Sequence, residues 1–177
     1  MSSQSVRTAG DMPLEIERKF LIQIPDPSWL AQQPGSRRVE IVQTYLLSGN
    51  GDTRRRVRTW TEDGRTEYIR TYKRTLTDRT RIEEEDYLTE EAYQTLLQEA
   101  DPARQPIRKV RWCVPYDSHT LEIDVYPFWT RQAVLEVELQ DEDEHFSIPP
   151  QLHVIREVTG DPRYLNSALA KTIPAED

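Results

Sequence analysis

The chain has 177 residues, of which 36% are hydrophobic and 31% charged, and its formal net charge is −8. This length predicts one domain that folds without disulfides, and the one cysteine, Cys113, excludes a disulfide framework and a cysteine-rich zinc site. The acidic balance argues against a nucleic-acid-binding protein, and no apolar run approaches the roughly 18 residues of a membrane span.

Residues 1–12 show no periodicity, and we predict a disordered leader followed by a single domain over residues 13–177. The leader lacks the apolar segment of a signal peptide, so we expect a cytoplasmic protein. From Leu14 onward, apolar and polar residues alternate in short segments with the period of a β-strand. This pattern predicts strands near residues 14–24, 38–48, 53–61, 66–75, 80–88, 106–116, 120–128 and 132–140.

Helical patterns are few. We predict short helices over 27–32 and 89–99, an exposed helix start at the acidic run 141–144, and a C-terminal helix that begins after Asp161-Pro162. Eight strands with short connections are typical of a closed antiparallel barrel or a sandwich.

Most of the predicted strands carry charge at positions i and i+2 of one face and apolar residues on the other. In the first strand Glu15, Glu17 and Lys19 lie opposite Ile16 and Phe20. Nearly balanced charges on one continuous face fit the outside of a sandwich, or the inside of a barrel whose apolar face is covered by helices. The pattern alone leaves both arrangements open. The charged faces carry Glu15, Glu17, Glu83, Glu85, Glu122, Asp124, Glu136, Glu138, Lys19, Arg54, Arg56, Arg58, Lys73, Arg81, Lys109 and Arg111.

An inward charged face would suit phosphate chemistry. Carboxylate oxygens at i and i+2 bind hard cations such as Mg²⁺ or Mn²⁺, and arginine forks bind phosphate oxygens in pairs. No glycine-rich phosphate loop is present in the sequence, and the three histidines, His119, His145 and His153, lack ligand spacing.

At residues 15–19 the sequence resembles the E-x-E-x-K signature of the CYTH family, the triphosphate tunnel metalloenzymes. The resemblance continues in chain order through R-x-R at Arg56 and Arg58, K-x-R at Lys109 and Arg111, and E-x-E at Glu136. It also includes Lys73, Arg81, Glu83, Glu85, E-x-D at Glu122 and Asp124, and the stretch Glu157 to Ala170.

The resemblance implies a mainly β (α+β) fold, an eight-stranded antiparallel closed barrel with a charged interior and a few flanking helices. It implies hydrolysis of a triphosphate with Mg²⁺ or Mn²⁺. The resemblance assigns metal binding to Glu15, Glu17, Asp124, Glu136 and Glu138. Substrate binding falls to Lys19, Arg56, Arg58, Lys73, Arg81, Lys109 and Arg111, and catalysis to Lys19, Tyr45, Glu83 and Glu85.

One position departs from the family pattern, because Ser167 stands where small bacterial members often have a lysine. The sequence leaves open whether Lys171 or Arg163 replaces that lysine or whether the contact is absent. We expect a small anionic triphosphate as partner, with inorganic tripolyphosphate ahead of nucleoside or thiamine triphosphate and of a class IV-type adenylate cyclase reaction. A non-catalytic polyphosphate-binding or nucleotide-binding module is the alternative outside enzymes. The protein is expected to be a monomer or a homodimer, with no nucleic-acid or membrane partner.

Overall fold

The computed structural model describes residues 14–47 and 53–177. The predicted leader, residues 1–12, lies outside them. The described strands are β1 Leu14–Gln23, β2 Arg37–Tyr45, β3 Thr53–Glu62, β4 Arg65–Thr75, β5 Thr80–Leu88, β6 Ile107–Tyr116, β7 His119–Val125, β8 Gln132–Leu139 and β9 Val154–Glu157. The helices are α1 Pro27–Gln32, α2 Glu90–Leu96 and α3 Asn166–Leu169, with 3₁₀ turns at Leu97–Glu99 and Pro162–Tyr164.

The sheet closes into a barrel through β1. Its neighbours follow the order β5-β4-β3-β2-β6-β7-β8-β1-β9, and an additional β5–β1 pairing joins the two sides. Ile16–Gln23 of β1 pair with β8, while Leu14–Ile16 pair with β5. The short β9 pairs with β1 farther along the strand. All of these pairings are antiparallel, which confirms the predicted eight-stranded barrel and shows one extra strand.

The charged faces of the strands turn inward, and the apolar faces pack outside the barrel wall. Phe20 and Ile22 of β1 join a buried cluster with Leu30 of α1 and Leu152. On the opposite side, Tyr93 of α2 packs in a second cluster. The outward apolar faces are thus covered by α1, α2 and the segment 146–152, so the barrel interior takes the charge.

The C-terminal segment, residues 158–170, closes one end of the barrel. Beyond the charged positions, the inward faces of β1 and β8 become apolar at Leu21 and Val134, which pack with Tyr164 and Leu169. Gly160 adopts φ +75°, and a β-carbon there would lie 2.8 Å from the Cβ of Asp78. Glycine therefore lets the C-terminal segment pack directly against the β4–β5 turn.

Three local predictions need correction. Strand β9 was not predicted, because it is only four residues long and its apolar residues Val154 and Ile155 are exposed, so it lacks the pattern of a half-buried strand. The predicted C-terminal helix is split at Leu165, whose extended backbone (φ −66°, ψ 137°) separates the 3₁₀ turn from α3.

The acidic run 141–144 forms a turn instead of a helix start. The Asp141 carboxylate accepts a hydrogen bond from the backbone of Asp143, and the Glu144 carboxylate accepts one from the backbone of Gln140. These side-chain bonds compete with helix formation.

Removing apolar volume from the outer wall should destabilise the fold. Leu135 on β8 is fully buried, so Leu135→Ala is expected to lower the free energy of unfolding by about 3 kcal/mol through lost contacts and a residual cavity. Leu76→Ala, at a leucine that is 49% exposed, should change it by less than about 0.5 kcal/mol. Urea denaturation measures both values, and equal losses would contradict this packing.

Candidate active site

The barrel interior is a cavity of about 860 Å³ lined mainly by charged side chains. Every barrel strand contributes to this lining. Strands β1, β5, β7 and β8 contribute carboxylates, and β3 contributes three arginines. Single residues of the lining discussed below are Lys73 of β4, Arg111 of β6 and Tyr45 of β2. The carboxylates of the lining are Glu15, Glu17, Glu83, Glu84, Glu85, Asp86, Glu122, Glu136 and Glu138. The cations are Lys19, Arg54, Arg56, Arg58, Lys73, Arg81 and Arg111.

Strand β3 supplies a row of arginines, Arg54, Arg56 and Arg58, because every second residue of a strand faces the same side. Arg56 is buried, its Nε atom has no hydrogen-bond partner, and no carboxylate of the described residues lies within ion-pair distance. Burial, with the charges of Arg56 and Arg111, lowers the pKa of Arg58 to about 10. This row therefore presents positive charge that the protein itself does not neutralise fully.

Elsewhere in the cavity, cations and carboxylates of neighbouring strands form ion pairs. Lys19 Nζ lies 3.2 Å from Glu136, and Lys73 Nζ lies 3.2 Å from Glu15. The remaining pairs are Lys73–Glu83, Arg81–Glu17, Arg58–Glu85 and Arg111–Glu122. These pairs offset part of the cost of placing charge inside the barrel.

Strands β1, β7 and β8 crowd negative charge together. Glu17 lies directly opposite Glu138, and Glu122 lies opposite Glu136. Burial and the charge of Glu136 raise the pKa of Glu17 to about 7, and burial and Glu15 raise that of Glu138 to about 7. A cluster with raised pKa values has an excess of negative charge that a cation would relieve.

The comparisons with known proteins agree with this geometry. No protein-family profile matches the chain. The chain is 34% identical over 167 residues to a protein named inorganic triphosphatase from Acetivibrio thermocellus, covering 90% of this chain and 95% of that protein. The chain belongs to the CYTH family of triphosphate tunnel proteins.

Solved structures with the same fold include the inorganic triphosphatase NE1496, which is 29% identical and superposes with a TM-score of 0.56. That match covers 91% of this chain and 97% of the other. The PH1819 protein from Pyrococcus horikoshii OT3 is 19% identical, covers 73% of this chain and 80% of its own, and has a TM-score of 0.56. The second likeness concerns the fold alone.

The CYTH tunnel brings together most of the predicted site residues. Its lining includes the predicted metal ligands Glu15, Glu17, Glu136 and Glu138, the predicted substrate-binding residues Lys19, Arg56, Arg58, Lys73, Arg81 and Arg111, and the predicted catalytic residues Tyr45, Glu83 and Glu85. The roles assigned to these residues stay predictions, whereas their placement in one cavity is observed.

Lys109 and Asp124 are the two predicted site residues that do not line the cavity. Their side chains are almost fully buried and do not belong to the tunnel lining. The Asp124 carboxylate accepts hydrogen bonds from Lys109 Nζ at 2.8 Å and from Arg111 at 2.8 and 2.9 Å. These bonds fix the position of the Arg111 guanidinium, and the metal-binding role of Asp124 and the substrate-binding role of Lys109 stay predictions.

Several lining residues had no predicted role. Arg54 and Glu122 were predicted to lie on the charged strand faces, and both line the tunnel, although no individual role was assigned to them. Asn166 and Ser167 line the tunnel only because the C-terminal segment folds back, which no local pattern indicates. Lys171 and Arg163, the candidates to replace a lysine at position 167, are exposed and not part of the lining.

The carboxylate oxygens of the tunnel are the kind of ligand that a hard divalent cation prefers. In the described part of the chain, no three acidic, histidine or cysteine side chains are arranged to hold an ion by themselves. Mg²⁺ commonly binds through one or two carboxylates together with substrate phosphates, and Glu17 opposite Glu138 offers such a pair. The observation that supports the fit is the position of Glu17 directly opposite Glu138, to which no cation of the described residues is ion-paired, and the raised pKa values of both carboxyls agree with it.

The acid cluster should make stability depend on pH. Between pH 5 and 7 the folded protein holds protons on Glu17 and Glu138, whose pKa values are about 7, while the unfolded chain releases them near 4.5. The free energy of unfolding must therefore fall as pH rises through this window. Glu136 and Asp124 have lowered pKa values and remain ionised in both states there.

Melting temperature measured in chelator should accordingly be lower at pH 7 than at pH 5. Glu138→Gln should reduce this drop, whereas Glu67→Gln, at an exposed position of β4, should leave it unchanged. A melting temperature that rises from pH 5 to 7, or an identical drop in Glu138→Gln, would contradict the described charge crowding.

Proposed function

We propose that the protein is a metal-dependent triphosphatase that hydrolyses inorganic tripolyphosphate. The observation that carries this proposal is the division of the tunnel between the arginine row of β3 and the acid cluster of β1, β7 and β8. A highly anionic chain fits the first region, and its accompanying cation fits the second. The 34% identity to an inorganic triphosphatase over nearly the whole chain supports the same reaction.

The arginines and lysines of the tunnel would bind and orient the substrate. Arg56 and Arg58 offer forked donors to phosphate oxygens, and Lys73 lies on the adjacent strand. Lys19 is held by the backbone carbonyl of Tyr164, 3.2 Å away, and by Glu136. Such fixed donors stabilise charge that develops on the phosphoryl group during transfer.

A bound Mg²⁺ or Mn²⁺ would neutralise phosphate charge and favour ionisation of the attacking water. Glu138 is the residue whose contribution to holding it we expect to be largest, since its pKa is raised to about 7 and no cation of the described residues forms an ion pair with it. Glu17 lies opposite it and also has a pKa raised to about 7, although Arg81 pairs with it. Glu15 and Glu136 are the other tunnel acids predicted for this role.

Water attack on a terminal phosphorus breaks one phosphoanhydride bond and releases orthophosphate and diphosphate, and one proton must leave the water. Glu83 can accept it, because Lys73 keeps the pKa of Glu83 below its usual value although burial raises it. Glu85 lies on the same face of β5, and the Tyr45 hydroxyl accepts a hydrogen bond from Gln43 at 3.0 Å. Lys19, Tyr45, Glu83 and Glu85 remain the proposed proton-handling groups.

Nucleoside triphosphates are the second candidate substrates. Trp60 continues the inward row of β3 and lines the tunnel, with the Arg58 guanidinium 5.2 Å from its ring centroid. An accessible indole can stack on a nucleobase.

The described residues contain no helix long and apolar enough to cross a membrane. The cytoplasmic location and the monomeric or homodimeric state stay predictions.

Phosphate release from tripolyphosphate, ATP and thiamine triphosphate tests the reaction directly, with Mg²⁺, Mn²⁺ or chelator. We expect metal-dependent turnover that is fastest with tripolyphosphate. Arg56→Gln should lower kcat/KM about 100-fold, the usual effect of losing one donor to a developing charge. Arg55→Gln changes the next residue, which lies outside the tunnel lining, and should have little effect.

No turnover by the folded protein, with a rise in melting temperature on adding tripolyphosphate, would instead indicate a binding module. Faster turnover of ATP would favour the nucleotide alternative. Equal effects of Arg55→Gln and Arg56→Gln would contradict the assignment of the arginine row.

Metal binding can be tested separately by calorimetric titration with Mn²⁺. Glu138→Gln should weaken binding about tenfold or more, since it removes a charged oxygen ligand. Glu67→Gln is the matched control, because Glu67 is exposed and does not belong to the tunnel lining, and it should bind as the unchanged protein does. Unaltered Mn²⁺ affinity in Glu138→Gln would contradict the proposed site.

A further inference from the structure

Gln43 of β2 is a buried polar residue to which the proposed reaction assigns no role. It shares a strand face with Tyr45, but it is fully buried and does not belong to the tunnel lining. Its Nε2 atom donates a hydrogen bond to the Tyr45 hydroxyl at 3.0 Å, whereas its Oε1 atom is buried without a hydrogen-bond partner among the described residues. The preceding residues of this face, Val39 and Ile41, are apolar and buried. An unsatisfied amide oxygen costs stability that an apolar side chain would avoid, so the glutamine calls for a functional explanation.

The Tyr45 ring is held in place by contacts that do not involve its hydroxyl. It belongs to a buried apolar cluster that includes Tyr126, and the Arg104 guanidinium lies 5.9 Å from its centroid. The backbone carbonyl of Tyr45 accepts a hydrogen bond from the backbone N–H of Asp101 at 2.9 Å. The hydrogen bond from Gln43 is therefore not needed to hold the ring, and its effect falls on the hydroxyl.

The amide of Gln43 decides where the proton of the Tyr45 hydroxyl can point. A phenol hydroxyl has one proton to donate and an oxygen that accepts, and an amide NH₂ group only donates. Because Gln43 Nε2 donates to this oxygen, the hydroxyl proton must point toward another group. Arg56, the partner of Tyr45 on β3, has only donors, and no described residue accepts a hydrogen bond from this hydroxyl. Since Tyr45 lines the tunnel, its proton is available to a ligand there.

We propose that Gln43 is a positioning residue, which makes the Tyr45 hydroxyl a hydrogen-bond donor to the phosphate chain in the tunnel. This inference rests on the proposed triphosphatase function and specifies how one of its proton-handling groups is oriented. Gln43 itself lies outside the lining and acts through Tyr45. A donor that is oriented before the reaction stabilises the charge that develops on a phosphate oxygen without further rearrangement.

A double-mutant cycle between Gln43→Met and Tyr45→Phe tests the proposal. Gln43→Met should lower kcat/KM for tripolyphosphate about tenfold, because the hydroxyl is no longer oriented. Its melting temperature should stay the same or rise, since a buried unsatisfied oxygen is removed. Tyr45→Phe should lower kcat/KM by at least as much. In the Tyr45→Phe protein, Gln43→Met should have no further effect, because the hydroxyl through which Gln43 acts is gone.

Gln132 of β8 offers a matched control. It is also a fully buried glutamine with one unsatisfied amide atom, Nε2, and its Oε1 atom accepts a hydrogen bond from the backbone N–H of Asp177. Because it lies outside the tunnel lining, Gln132→Met should leave kcat/KM unchanged. An unchanged kcat/KM in Gln43→Met would overturn the proposal. So would a Gln43→Met effect that is as large in the Tyr45→Phe protein as in the unchanged one.

Calorimetric titration with tripolyphosphate, without divalent cation, separates this result from a failure of the proposed function. Gln43→Met and Tyr45→Phe should each weaken binding about threefold, the effect of one neutral hydrogen bond, and the double variant should bind no more weakly than Tyr45→Phe. This pattern in a protein without turnover would contradict the proposed hydrolysis and still support the positioning role of Gln43. In a protein without turnover, equal affinity of all variants, or no binding at all, would overturn both.

Discussion

Opposite charges on neighbouring strands are what allow this barrel to keep its charged faces inside. Lys19 pairs with Glu136 across β1 and β8, and Arg111 pairs with Asp124 across β6 and β7. Isolated charges inside a protein would carry a desolvation cost of several kcal/mol each, which is reduced here by pairing and by access of water to the tunnel. Since the charged faces point inward, the apolar faces point outward and require the cover of α1 and α2.

This neutralisation is incomplete at two places, and both matter for chemistry. Arg56 on β3 has no carboxylate partner among the described residues, while Glu17 and Glu138 face each other across β1 and β8. The region of Arg56 attracts a polyanion, and the carboxylates of Glu17 and Glu138 attract a cation. A phosphate chain with its metal ion therefore complements the charges that the protein does not neutralise itself.

The C-terminal segment links barrel closure to the geometry of the site. The Thr159 hydroxyl accepts a hydrogen bond from the backbone N–H of Lys19, and the carbonyl of Tyr164 accepts one from its ammonium group. Tyr164 is itself buried against Trp129. Aromatic packing at the closed end therefore fixes the position of a charged residue inside the tunnel, and it brings Asn166 to the cavity wall.

The sequence by itself determined the strands and the residues that share a face, because the two-residue period of a strand is a local property. Glu15, Glu17 and Lys19, or Arg56 and Arg58, could be grouped on this ground, and their family resemblance indicated the tunnel. The alternation itself left the direction of this face open, because it is the same in a sandwich and in a barrel, and the tertiary structure shows that the face points inward. The tertiary structure also decided that Lys109 and Asp124 are buried outside the cavity lining and that Asn166 lines the tunnel. Those placements depend on contacts between residues far apart in the chain, which no local pattern encodes.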